Sequence, residues 1–186
     1  MLFGKMPVGT VDLLRTIAAA VSRIRCGRKR IRRTKAVKAA LCELGRKRGF
    51  KVYACVHLGP KRLKEWVLDV VWWSPKRTGG VQLAVESEFG NGVEILDDFE
   101  KLMCIKSPMK LMVFSSSKGK VTPDEMIAKI EEYLVDFDQH VSGETYVLAD
   151  FAECGHRYYK YRVPHDGKLK QTEVRFSPRR TCSVTR

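Results

Sequence analysis

The sequence predicts an α/β fold in which a mixed sheet is flanked by helices. Three observations carry this. Apolar residues recur at helical spacing in four segments, and at strand spacing or in short apolar runs in six. The order is helix, three consecutive strands, helix, strand; the three strands read as an antiparallel meander and the following helix as a crossover returning a parallel strand. At 186 residues and 44% hydrophobic, the chain is large enough for one real core, and no run approaches the ~18 apolar residues of a membrane span.

The first helix starts at Thr10 as N-cap, carries Val11, Leu14, Ile17, Val21 and Ile24 as its apolar stripe, and runs out near Gly27. The basic run Arg28-Lys29-Arg30-Ile31-Arg32-Arg33 follows. Lys35 to Arg48 reads as a second helix, with Val37, Ala40, Leu41 and Leu44 inward and Gly49 as its stop. Strands are expected at 50–58, 65–73 and 81–89, the last two joined by the turn-forming stretch from Ser74 to Gly80. A helix over 94–105 buries Ile95, Leu96, Phe99, Leu102 and Met103, and a strand from Lys110 to Ser115 leads into a polar loop. Thr122 caps the next helix, with Pro123 at its first position and Glu125 closing a capping box. Two strands follow near 145–152 and 156–163, and no structure is assigned beyond Pro164. The chain thus divides into a basic amphipathic N-terminal extension (1–33), an α/β domain (34–163) and a basic C-terminal tail (164–186).

The net charge of +14 is unevenly spread. Residues 1–66 hold 18 Lys/Arg against Asp12, Glu43 and Glu65, and residues 154–186 hold nine against two. Residues 67–153 reverse the balance, with eight basic against 16 acidic. Basic flanks around an acidic centre point to a phosphate-bearing partner, with an anionic membrane patch or an interaction surface on the amphipathic N-terminal segment as the alternative. The six cysteines form no Cys-x-x-Cys pair, which argues against a zinc ribbon and fits a reducing compartment, cytoplasmic or nucleoid-associated. The Arg-rich, acid-poor stretch 10–33 also matches a mitochondrial transit peptide, although it is poor in Ser. Cys154, His156 and His165 lie close in sequence, but this spacing reads as ordinary surface histidines rather than a metal site.

The strongest chemical signal is Trp66 to Trp73. Alternation puts Trp66, Leu68, Val70 and Trp72 on one face and Val67, Asp69, Val71 and Trp73 on the other, so Asp69 lies in an otherwise apolar, covered strand. In the next strand Glu86 and Glu88 share a face. A hairpin symmetric about its turn sets Ser74 opposite Val81 and therefore Asp69 opposite Glu86. Three carboxylates this close require a proton or a cation among them, and oxygen-only ligands suit Mg²⁺ or Mn²⁺. The plainer alternative is that Asp69 pairs with an Arg or Lys and the glutamates lie on an exposed edge. Glu43 lies at the rim of the second helix's stripe, within reach of the cluster, and Lys101 lies about a turn from Asp97 and Asp98.

The order helix, three strands, helix, strand over residues 34–116, with Asp69 in the second strand and Glu86-Ser87-Glu88 in the third, resembles the PD-(D/E)xK nuclease superfamily and its restriction-endonuclease-like fold. The resemblance implies that Asp69 is the first acid of the motif, Glu86 the acid of the third strand and Glu43 the acid many members carry on the first helix. The departure is Glu88, which stands where the family usually has lysine. Some members carry glutamate there, and others move the lysine to the following helix, where Lys101 is the candidate.

What the resemblance implies is a metal-dependent endonuclease. Asp69, Glu86 and Glu43 would hold Mg²⁺ or Mn²⁺, Lys101 would orient water or stabilise the oxyanion, and Glu88 would assist. The basic residues Arg28, Lys29, Arg30, Arg32, Arg33, Lys35, Arg46, Lys47 and Arg48 would grip backbone phosphates, with Arg175, Arg179 and Arg180 of the tail adding to that grip. DNA is favoured over RNA as substrate. Nicking by a monomer and double-strand cutting by a homodimer are both compatible with the sequence. The vacant lysine position supports the alternative of a non-catalytic nucleic-acid-binding module on the same fold.

Overall fold

The computed structural model describes residues 9–24, 30–54, 57–58, 61–62, 67–76, 78–116, 121–152, 155–164 and 170–173. The elements are α1 (Thr10–Ser22), α2 (Arg30–Lys47), β1 (Lys51–Ala54), β2 (His57–Leu58), β3 (Lys61–Arg62), β4 (Val70–Trp73), β5 (Val81–Glu88), α3 (Gly92–Cys104), β6 (Met109–Phe114), α4 (Pro123–Asp136), β7 (Thr145–Ala152), β8 (Gly155–Arg162) and β9 (Lys170–Glu173). Seven strands form one mixed sheet in the order β1-β4-β5-β6-β7-β8-β9, and β2 pairs with β3 separately. The meander β1-β4-β5 is antiparallel, α3 carries the chain from β5 to a parallel β6, and α4 carries it to a parallel β7.

Strand alternation sorts the core into two layers. Val70, Trp72, Leu83, Val85, Leu111, Val113, Val147 and Ala149 face α1 and α2, meeting Leu13, Leu14, Ile17, Val37 and Leu41. Val71, Ala84, Met112, Phe114, Tyr146 and Leu148 face α3 and α4, meeting Ile95, Phe99, Leu102, Met126, Ile127, Ile130 and Leu134. Helix α3 starts at Asn91 and α4 at Thr122, each with a reciprocal capping box closed by Glu94 and Glu125. Among the described residues no helix is long and apolar enough to cross a membrane.

Several elements differ from expectation. The first helix, assigned to an extension, buries Leu14, Ile17 and Val21 of its stripe in the main core, while Val11 stays exposed; its N-cap is Gly9. The second helix begins at Arg30, so part of the basic run forms its first turn. The predicted strand 50–58 divides between β1 and the small β2–β3 pair. The predicted strand 65–73 pairs only from Val70; Val67–Asp69 form a bend, and Trp66 lies outside the described residues. The tail contributes β9, which adds to the edge of β8.

A buried ion pair fastens the end of the sheet beside the C-terminus of α3. Lys110 is 1% exposed, and its ammonium donates to Met103 O, Glu144 Oε2 and Tyr146 OH, each at 3.0 Å. An ammonium has three protons, and here three acceptors take them. One of those acceptors is a carbonyl of the last turn of α3, where a cation is also favoured by the helix dipole.

The seat of α2 on the sheet depends on Gly45. A Cβ there would lie 2.5 Å from Trp72 Nε1 and 2.8 Å from Val52 Cγ2. Trp72 cannot yield, because it is fully buried, stacks on Phe50 at 5.2 Å and donates its indole N–H to Leu41 O at 3.1 Å. Gly49, at φ 81°, ends the helix in the left-handed conformation glycine favours. Gly45→Ala is therefore expected to destabilise the fold by about 1–3 kcal/mol, overpacking outweighing the roughly 1 kcal/mol that alanine gains in a helix. Urea denaturation of the variant checks this, and a rise in midpoint would contradict it.

Candidate functional site

The ladder between β4 and β5 pairs Val70 with Val85, Val71 with Ala84 and Trp72 with Leu83. The same register carried one residue further sets Asp69 against Glu86. A bulge between Trp72 and Trp73 puts Trp73, not Ser74, opposite Val81, so the turn is not symmetric while the inner ladder keeps the expected pairing. The end of β5, the bend before β4, the first half of α2 and the second half of α3 together enclose a cleft of about 380 Å³. Lys38, Asp69, Glu86, Glu88, Asp98 and Lys101 all line it.

Asp69 is held in the cleft from two sides. One oxygen pairs with the Lys38 ammonium, and Oδ2 accepts the Ser87 backbone N–H at 3.1 Å. Burial pushes the Asp69 carboxyl above its ordinary range, Lys38 pulls it back, and the Asp98 charge adds to the upward push. Glu86 is only 3% exposed. Its pKa is pushed up to about 9, first by burial and then by the charges of Asp69 and Asp98, with Lys101 and the Asp69 backbone acting the other way. At neutral pH the isolated chain therefore keeps a proton on Glu86.

The expected site residues separate into two groups. Asp69, Glu86, Glu88 and Lys101 come together in the cleft. Lys101 is tethered on α3 to Asp98 at 2.6 Å, which holds its pKa above the usual lysine range, and its side chain stays about half exposed. Glu43 does not join them. It follows Lys38 by five residues, which at ~100° per residue turns it about 140° around the helix. There it pairs with Lys47 at 2.7 Å, which keeps its pKa low, in a separate groove between α1 and α2 beside Arg15 and Arg23.

The basic residues do not form one surface either. Lys35 lines the cleft, and Arg33 lies over the Phe89 ring at 5.8 Å, near the end of β5. Arg46, Lys47 and Arg48 sit at the far end of α2, about 18 Å from Lys35 along the helix axis. Lys47 is tied there to Glu43 and Arg48 to Asp12. Arg32 is exposed and Arg30 opens the helix, while Arg28, Lys29, Arg175, Arg179 and Arg180 lie outside the described residues, as do Cys154 and His165. His156 is exposed on β8 against Phe151 at 4.7 Å, with burial and the Arg33 charge lowering its pKa.

Lys38 is the site residue that the sequence reading overlooked. Its signal was present: Leu41 and Cys42, three and four residues on, are fully buried, so Lys38 occupies the inward face of α2. A lysine at such a position needs an acid, and Asp69 is that acid. Thr34, one turn earlier, donates its hydroxyl to Ser87 O at 3.3 Å and holds this part of the helix against β5. Among the described residues, no three His, Cys, Asp or Glu side chains are placed to hold a metal by themselves.

The Glu86 shift has a consequence for stability. Its raised pKa means the folded chain binds a proton that the unfolded chain releases, so stability falls as pH rises from the ordinary 4.5 towards about 9. Glu86→Gln keeps the shape without the charge. It is expected to match wild type near pH 4 and to be more stable by about 1–3 kcal/mol near pH 8–9 in the absence of divalent ions. Melting curves across this range decide it; a variant less stable than wild type at alkaline pH would contradict the burial argument. The chain matches no family model, no curated protein and no solved structure, so what the cleft does has to be argued from its own side chains.

Proposed function

We propose that the cleft is the active site of a metal-dependent nuclease that hydrolyses phosphodiester bonds, with DNA favoured over RNA, on a restriction-endonuclease-like core. The observation that carries this is the convergence of Asp69, from the bend before β4, and Glu86, from β5, into a cleft edged by the basic first half of α2. The order α2-β1-β4-β5-α3-β6, with an antiparallel meander and a parallel return, supports likeness to the PD-(D/E)xK superfamily.

The donor set fits a hard cation. It consists of oxygens only, and Mg²⁺ commonly takes one or two protein carboxylates and fills its shell with water and substrate phosphate. Asp69 and Glu86 would hold it, without Glu43. When bound, such an ion lowers the pKa of a water and offsets charge on the scissile phosphate. Glu88, on the same face two residues past Glu86, would accept a hydrogen bond from a water in the cleft and so orient it. Lys101, held by Asp98, presents its ammonium to the phosphate being cut. Lys35 and Arg33 would bind neighbouring backbone phosphates, giving binding that weakens steeply with salt and reads little sequence.

One observation favours a second reading. Asp69 already has a cation in Lys38, which suits a binding module with no metal chemistry. Plasmid and RNA substrates incubated with Mg²⁺ or EDTA separate the two. The nuclease reading expects Mg²⁺-dependent cutting that falls on the order of 100-fold or more in Asp69→Asn and Glu86→Gln. Binding without cutting by wild type would select the module.

A further inference from the structure

Burying a lysine is expensive unless its charge is answered, and the position of Lys38 is not accidental to the packing. Helix α2 is pinned on either side of it, by Thr34 on Ser87 O and by Leu41 O on the Trp72 indole. The backbone at Lys38 is therefore fixed, but the ammonium rides on a flexible four-carbon stem and lines the cleft. Its acceptor, Asp69, also takes the Ser87 N–H, so the carboxylate stays oriented when its cation changes. Lys101 is held differently, by Asp98 on its own helix.

We propose that Lys38 is the protein's own counter-cation for the Asp69–Glu86 pair, occupying the place of a divalent ion until one arrives. The incoming ion takes Asp69 from Lys38, and the released ammonium turns into the cleft to bind a phosphate oxygen of the substrate. This rests on the nuclease reading and adds to it a residue that competes with the metal and cooperates with the substrate. The exchange involves no bond making: one cation replaces another on the same carboxylate.

Two variants test it. Lys38→Met keeps the stem and removes the charge; Lys38→Gln also keeps a hydrogen-bond donor for Asp69 and guards against a variant that fails to fold. Mn²⁺ alone, titrated calorimetrically into the full chain, is expected to bind both variants more tightly than wild type, on the order of tenfold or more. The Mn²⁺-induced rise in Tm should be larger in both, whereas Lys129→Met, exposed on α4 and outside the cleft, should change neither. KM for nucleic acid should rise in the Lys38 variants even at saturating metal. If wild type binds Mn²⁺ through Asp69, with binding lost in Asp69→Asn, and the Lys38 variants bind it no more tightly, the exchange is overturned while the nuclease reading stands. If neither wild type nor the Lys38 variants bind Mn²⁺, both fall.

Discussion

Two carboxyls that face each other at the end of a covered sheet set the terms for the rest of this structure. Asp69 and Glu86 cannot both be charged there without a counter-ion, because burial and the Asp98 charge push both carboxyls the same way and the Asp69 charge adds to the push on Glu86. The chain answers with one lysine and one proton: Lys38 pairs with Asp69, and Glu86 stays protonated. That answer depends on how closely α2 lies on the sheet. Thr34, Lys38, Leu41 and Gly45 follow one another at spacings of four, three and four, and so share one face of the helix. Thr34 bonds to Ser87 O, Leu41 O receives the Trp72 N–H, and Gly45 leaves room for the indole. The contacts that seat the helix and the charge that stabilises the acids belong to a single stripe.

The other buried lysine shows what a purely structural ion pair looks like in the same fold. Lys110 and Glu144 are each 1% exposed, and the three ammonium protons of Lys110 go to a carboxylate, a phenol and a helix-terminal carbonyl. His140 extends the network, its Nε2 meeting Leu134 O at 2.8 Å and its Nδ1 meeting Tyr146 OH at 3.2 Å. Lys110, Glu144 and Tyr146 are enclosed by protein, and His140 is only partly exposed. Lys38 differs in that it and its acceptor share a cleft wall with a second, protonated acid. A pair enclosed on all sides can only hold elements together. A pair that opens on a cleft can exchange its cation.

Much of this was legible in the sequence. The alternation through Val81–Phe89 and the apolar run before Ser74 located the two central strands, and their register put Asp69 beside Glu86 despite the bulge near the turn. The Thr122–Glu125 capping box locates the start of α4, whereas the apolar stripe alone sets the start of α3 two residues late, because the Asn91–Glu94 box goes unread. The failures share a cause: they concern which way a charged side chain points from a helix. Glu43 was placed near the acids by its closeness to an apolar stripe, but it sits on the flank towards α1, where Lys47 is nearer than any carboxylate. Lys38 lies three and four residues before the buried Leu41 and Cys42, so the spacing turns it inward, and the contact with Asp69 shows which acid answers it. The basic residues of 28–35 and 46–48 are expected to share one phosphate grip, whereas α2 sets their described members at its opposite ends. The edge strand β9 had no apolar pattern to announce it, since its pairing with β8 is a backbone matter.

An ion pair inside a candidate metal site argues in two directions, and the physics of folding helps to weigh them. A cluster of acids that waits for a metal must survive folding without it, and unpaired buried carboxylates would cost several kcal/mol each. A site with no counter-charge of its own would therefore tie the stability of the whole sheet to metal supply. Lys38 removes that dependence, since it neutralises Asp69 in the same core that α2 completes. A module built only to bind nucleic acid has no comparable need for the acids at all: each buried carboxyl has to be answered by a lysine or a proton, and apolar residues would serve the strand better. Two acids lining a cleft beside the basic half of α2 suit the exchangeable cation site we propose, and a phosphate grip alone has no use for them.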